Sequence, residues 1–197
     1  MQVLKEEVKE KVHNAAVAEF RAKGFQKASM RSIAGKAGMT VGNLYRYYRN
    51  KNDLFYSVVN PAYDKIVKLI NEKRKPELTE GVEYRMLMEN IANSIIDIHK
   101  KHKNELFIFF EGSKGTKYEK AKEKIITMTE EQIRKYVIEE INAYRPAPRD
   151  AFIARVIAVS FIEGMMTVLK KYDCGEEIRE NILLFQDFFF KDLGKRL

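Results

Sequence analysis

The stretch Ser29-Met30-Arg31-Ser32-Ile33-Ala34-Gly35-Lys36-Ala37-Gly38-Met39-Thr40-Val41-Gly42-Asn43-Leu44-Tyr45-Arg46-Tyr47-Tyr48 decides how this chain folds. Ser29 is a good N-cap, because its side-chain oxygen can accept a first-turn amide proton. Met30, Ile33, Ala34 and Ala37 then make one apolar stripe on a short helix. Gly38 ends that helix, since a residue without Cβ reaches positive φ cheaply. Thr40 caps a second short helix, running from Val41 to about Tyr48. Ala34 and Ala37 let the two helices approach, and Ile33, Leu44 and Tyr48 fill the wedge beneath them. Val41, Gly42, Asn43, Arg46 and Tyr47 are left facing outward. Two short helices about a glycine turn form a helix-turn-helix, whose second helix suits the base edges and phosphates of a major groove.

On the N-terminal side, Val8, Val12, Ala16 and Phe20 recur every four residues, which predicts a helix from about Lys5 to Lys23, stopped by Gly24. On the C-terminal side, Asn50 with Asp53 resembles a capping box for a fourth helix, and Pro61 predicts a kink or restart in it. Charge marks the same region. Residues 20–55 hold Arg21, Lys23, Lys27, Arg31, Lys36, Arg46, Arg49 and Lys51 against the single acid Asp53, and the whole chain nets +8. Such a concentration is the footprint of a nucleic-acid face, although a solvated basic surface gives the same count.

These residues carry a family resemblance. Gly24-Phe25, Ala28-Ser29, Ile33-Ala34, Ala37-Gly38-Met39-Thr40-Val41-Gly42-Asn43-Leu44-Tyr45, Tyr47-Tyr48, Asn50-Lys51 and Leu54 together resemble the N-terminal domain of TetR-family transcriptional regulators. The match covers about the first 55 residues, and the remainder shares only an all-helical layout. The resemblance implies an all-α chain with a three-helix helix-turn-helix DNA-binding domain at 1–50 and a larger helical effector-binding and dimerisation domain at 51–197. It implies that Arg31 reaches DNA, that Val41, Gly42, Asn43, Arg46 and Tyr47 face bases or phosphates, and that Tyr45 and Lys51 each meet a phosphate. Ser29 and Thr40 complete the DNA-facing set. Met30 departs from the small hydroxyl residue common at its position.

The rest of the chain reads as helix throughout, with four prolines and ten glycines in 197 residues. Arg74-Lys75-Pro76 with Gly81 predicts a linker, followed by helices at about 82–101, from 104 to Gly112, 117–143, 150–172 and 176–193. Arg145-Pro146-Ala147-Pro148 and Asp173-Cys174-Gly175 are the later turns. The segment Val156–Ile162 bears no charge, and Ile178, Ile182, Phe185, Phe189 and Leu193 form a stripe on the final helix. Two such wide apolar faces predict a four-helix interface between two copies, with Ile157, Phe161, Ile182, Phe185 and Phe189 as its residues, the alternative being a thick core within one chain. Met86, Met88, Phe107, Phe109, Phe110, Phe161, Met165 and Met166 are plain core or, as the resemblance implies, the lining of a pocket for a small hydrophobic effector.

Several classes are set aside. The N-terminus has no apolar signal segment, and no uncharged run approaches the roughly 20 residues that span a bilayer. One cysteine gives no internal disulfide and points to the cytoplasm. His99, His102 and Glu105 have metal-ligand spacing but lie in a lysine cluster, so neither metal nor cofactor is expected. Gly112-Ser113-Lys114-Gly115-Thr116 lacks the spacing of a phosphate loop, and no catalytic signature points to an enzyme. The function expected is therefore a sequence-specific regulator. It would be a homodimeric repressor that a small hydrophobic effector releases from operator DNA. The alternatives are an activator, a repressor without effector, or a non-specific architectural binder.

Overall fold

The computed structural model describes residues 2–72, 82–139 and 152–191, and every regular element among them is helical. The elements are α1 (Gln2–Lys27), α2 (Met30–Lys36), α3 (Val41–Tyr47), α4 (Lys51–Asn71), α5 (Val82–Glu111), α6 (Ala121–Ile133), α7 (Phe152–Lys171) and α8 (Gly175–Phe190). A π-helical stretch, Arg134–Ile138, continues α6. The linker at Arg74–Pro76 and Gly81, the turn at Pro146 and Pro148, the end of the 117–143 helix and Leu193 lie outside the described residues.

Gly24 breaks α1 with φ of 67°, and α5 is broken at His102, close to the interruption that the sequence places between Lys101 and Asn104. Two expectations need correction. Pro61 does not break α4, because it lies on an exposed face where its ring and the freed Ser57 carbonyl meet water. The helix expected from Lys117 begins at Ala121 instead. Gly115, at φ of 84°, donates its amide to the Glu119 carboxylate, and Thr116 binds back to the Ser113 carbonyl, so this segment is tied into turns.

The chain forms two units, and the first combines residues up to Lys65 with His102–Lys122. Its centre holds Val12, Ala16, Phe20, Ile33, Leu44, Leu54 and Phe55, all fully or almost fully buried. Rings extend this core: Phe20 and Phe25 meet Phe55 edge-on at 5.0 and 5.1 Å, while Tyr63 lies 5.2 Å from Phe109 and 4.9 Å from Tyr118. The two pieces of chain are joined where Phe25 N–H donates to the Gly112 carbonyl at 2.8 Å. Gly24 and Gly112 touch there, and a Cβ on Gly112 would lie 3.0 Å from the Ile108 carbonyl. The Arg21 guanidinium covers the Phe107 ring and pairs with Glu111. Of the aromatics expected in an effector pocket, Phe107 and Phe109 are buried and Phe110 is half-buried, packed edge-on against Phe109.

The second unit comprises Ile66–Lys101 and the chain from Glu123 onward. A short turn at Tyr172–Cys174 folds α8 back onto α7. One cluster joins Ala92 and Ile96 of α5, Met165 and Leu169 of α7, and Ile178 and Ile182 of α8. A second joins Ile126 and Ile133 of α6 and Ile138 of the π stretch to Ala154, Ile157 and Ala158 of α7, with Phe189 and Phe190 packed against it. Arg155 holds α7 to α6 through Glu123 and Glu130, and Arg179 holds α8 to α5 through Glu89.

This packing divides the expected interface residues. Ile157 and Ile182 are buried within the chain, while Phe161, Phe185 and Phe189 form a half-buried ring cluster. The apolar side chains left outward are Phe152 and Val156 on α7 and Leu184 and Phe188 on α8, the last two 72% and 70% exposed. The stripe through Ile178 and Ile182 is the inward one, and the exposed stripe lies elsewhere on the same helix. Taken by length and composition alone, α7 is also apolar enough to cross a membrane, although charged residues interrupt it. Of the other expected pocket residues, Met88, Met165 and Met166 are buried and Met86 is exposed. A groove of about 590 Å³ in this unit is lined by Glu72, Leu87, Asn90, Asn93, Ser94 and Asp97, none of them an expected pocket residue.

Candidate nucleic-acid interface

The helix-turn-helix is built by caps. Ser29 has extended backbone, and its Oγ accepts the Ser32 amide at 3.1 Å. Thr40 does the same for α3, its Oγ1 accepting the Asn43 amide at 3.2 Å. Each bond satisfies a first-turn donor and fixes where its helix starts, which sets which side chains point outward. Gly38, at φ of 69°, makes the reversal between them. Met30, Ile33 and Ala34 pack inward from α2 and Leu44 from α3, while Tyr48 ends α3 partly buried.

What remains outward is one polar and aromatic face. Arg31 on α2 and Gly42, Asn43, Tyr45, Arg46 and Tyr47 on α3 are exposed, as are the caps Ser29 and Thr40, and Val41 is half-buried. Tyr45 and Tyr47 are 49% and 39% exposed, unusual for rings with no packing role. Gly42 leaves α3 without a side chain for one step, and a Cβ there would meet only open space. The surface therefore offers amide, guanidinium and phenol donors around a flat point where another backbone can come close.

Lys51 is the expected contact that the structure turns inward. Its Nζ donates to the carbonyls of Phe25, Gln26 and Ala28 at 2.8, 3.2 and 3.0 Å, and sits 4.4 Å over the Phe25 ring. All three ammonium protons are thus spent on the α1–α2 turn, whose carbonyls have few other donors. Lys51→Met should lower the melting temperature by roughly 4–8 °C while leaving the salt dependence of DNA binding unchanged. A phosphate contact would give the opposite pattern, with intact stability and a shallower salt slope, in calorimetry paired with binding at several salt concentrations.

The sequence also missed Glu19, one residue before the basic window. Its side chain is fully buried; Oε1 accepts from Lys23 at 2.8 Å, and Oε2 accepts from Ser32 Oγ at 2.8 Å and Lys36 at 2.7 Å. Burial alone would raise its pKa, but the hydrogen bonds from Lys23, Lys36 and Ser32 hold it at about 2. Lys23 and Lys36 therefore share one carboxylate that offsets one of their two charges, and Arg21 is paired with Glu111. Of eight cations counted in the sequence, Lys27, Arg31, Arg46 and Arg49 are the exposed ones outside these pairs. A carboxylate among apolar neighbours gives no periodic signal, which is why counting charge overstated this face. His99 and Glu105, which share metal-ligand spacing with His102, meet the Leu169 carbonyl and His13, and among the described residues no group of three or more His, Cys, Asp or Glu could hold a metal ion.

The comparisons with known proteins agree with this geometry. Residues 13–58 match the family model described as bacterial regulatory proteins, tetR family. Solved structures share the fold over nearly the whole chain. NalD, the secondary repressor of the MexAB-OprM multidrug efflux pump in Pseudomonas aeruginosa, is 18% identical at a TM-score of 0.60, covering 95% of this chain and 98% of its own. MexZ, a repressor responsible for antibiotic resistance in the same organism, is 17% identical at 0.59, covering 93% and 95%. A TetR-family member from Streptomyces coelicolor A3 is 14% identical at 0.63, covering 91% and 89%. At these identities the likeness is one of fold.

Proposed function

We propose that this chain is a DNA-binding transcriptional regulator, a homodimeric cytoplasmic repressor released from its operator by a small, largely apolar effector, a reading supported by the match of residues 13–58 to the tetR family of bacterial regulatory proteins. The observation that carries the reading is the outward face of α3, where Asn43, Tyr45, Arg46 and Tyr47 surround Gly42 between two capped helices. Side chains of this kind read base edges in a major groove, and the exposed Arg31 and Lys27 suit flanking phosphates. Residues 1–50 are assigned to DNA binding, and dimerisation and effector binding to the second unit, which lies within 51–197.

The second copy is assigned to the outward stripe of α7 and α8, where Phe152, Val156, Leu184 and Phe188 present apolar surface. Two α3 helices must then sit about 34–36 Å apart to enter successive grooves. An effector that favours another spacing releases DNA by linkage, and moving from mostly bound to mostly free takes about 5 kcal/mol of differential affinity. The two relatives named as repressors support that sign of regulation.

The test is a gel shift with the chain's own upstream DNA against scrambled DNA. Specific retention supports the reading, and equal binding to both would make the chain an architectural binder. In the same assay Asn43→Ala and Arg46→Ala should each cost about 1–3 kcal/mol at one base pair and relax preference there. A uniform loss across all sequences would make both residues phosphate contacts.

A further inference from the structure

Among the described residues, the interior of the second unit holds one buried side chain whose hydrogen-bonding atoms are both unpartnered. Gln186 is 1% exposed, and neither its Oε1 nor its Nε2 has a partner, whereas the other buried polar group of this unit, His99, meets the Leu169 carbonyl at 3.1 Å. Gln186 lies one turn beyond Ile182 and two beyond Ile178 on the inward stripe of α8. Ile178 and Ile182 belong to the cluster with α5 and α7, while Phe189 and Phe190, the next turn on, pack against the cluster with α6. The amide thus stands between two apolar clusters, where leucine would fill similar space without polar atoms to satisfy. Native interiors rarely leave such a group unpaired. A second irregularity belongs to one of these clusters: the π stretch Arg134–Ile138 carries Ile138 into the α6 cluster against which Phe189 and Phe190 pack, and such stretches concentrate at functional sites.

We propose that Gln186 is the hydrogen-bond anchor of a ligand site inside the second unit, for a neutral, flat molecule bearing an adjacent N–H and carbonyl, as in an aromatic lactam or carboxamide. This rests on the effector reading above and narrows it from any apolar molecule to one with an amide edge. Nε2–H donates to the ligand carbonyl, and Oε1 accepts from the ligand N–H. The ligand is neutral because no buried ionised side chain exists in this unit among the described residues, so a charge would have no counter-charge. Its flat body suits the rings beside Gln186, where Phe161 stacks on Phe185 at 5.8 Å and Phe185 meets Phe189 at 4.9 Å. A second copy of the chain is not the occupant, since a side chain so buried cannot be reached from the outward stripe at Leu184 and Phe188.

The test uses the full chain with isoquinolin-1(2H)-one as probe and its N-methyl derivative, which lacks the donor, as control. Melting temperature and operator affinity are both measured. The lactam should raise the wild-type melting temperature by about 3 °C near saturation, and the N-methyl derivative should do much less. Gln186→Leu should melt about 4 °C higher than wild type without ligand and should not respond to the lactam. Gln186→Met, unbranched and of similar volume, serves the same purpose if the leucine variant does not fold. The proposal is overturned by a variant less stable than wild type, which would mean that the amide is already satisfied by ordered water. It is also overturned by an equal lactam response in wild type and variant, or by none in wild type. A Gln186-dependent shift that leaves operator affinity unmoved supports the site and overturns effector release.

Discussion

Leu184→Glu combined with Phe188→Glu should leave the chain folded, convert it to monomers and weaken operator binding by at least about 100-fold. Both side chains are mostly exposed, so in a single chain the new carboxylates stay in water and cost little. Brought against a second copy, each becomes an unpaired buried charge worth several kcal/mol, enough to dissolve an interface. Loss of the dimer then removes the multivalent gain of two reading helices held at one spacing. Sedimentation checks the assembly and gel shifts check the affinity. A variant that stays dimeric would move the interface off this stripe. The same charge at Phe161 or Phe189 would be a poorer probe, because both lie in the ring cluster and the fold would fail with the interface.

Glu19→Gln should lower the melting temperature by roughly 5–10 °C near neutral pH, corresponding to about 2–3 kcal/mol. Gln keeps the size and the Ser32 bond but removes the charge that Lys23 and Lys36 meet. The figure stays below a fully buried pair because both lysine heads are well exposed. Its pH dependence has a definite sign. The folded pKa of about 2 lies below the ordinary 4.5, so the stabilisation is complete above about pH 4.5 and fades as pH falls toward 2. Melting curves of both proteins from pH 7 to pH 2.5 should converge on the acid side. A gap that stays constant over that range would mean that the carboxylate charge contributes nothing.

Local signals explain what was legible in the sequence. Ser29, Gly38 and Thr40 act through caps and a turn within three or four residues of themselves, so their chemistry can be read without knowing the fold. The break at His102 and the stop at Gly24 were placed within about two residues for the same reason. Distant partners defeated the rest. Lys51 looks like any surface cation until Phe25, Gln26 and Ala28 are brought beneath it. Glu19 looks like a solvated acid until α2 supplies Ser32 and Lys36. On α7 and α8 the composition showed wide apolar faces, yet the phase of each helix decided which side stayed exposed. A sequence of Leu and Phe at nearly every turn does not encode that phase, and Ile182 went inward where Leu184 did not.

The contact of Gly24 with Gly112 bears on how such a chain can be recombined. The DNA-reading unit is not a contiguous stretch of the gene: it closes with a second piece, His102–Lys122, set in after some thirty-six residues of the other unit. A crossover that exchanges only the first sixty residues hands the recipient one half of a seam. The incoming Gly24 turn must then find a backbone able to come equally near, a carbonyl placed for the Phe25 amide and a ring to meet Tyr56 as Tyr118 does. The reader and that later piece are therefore inherited together or repaired together, which ties the pace of change at positions ninety residues apart.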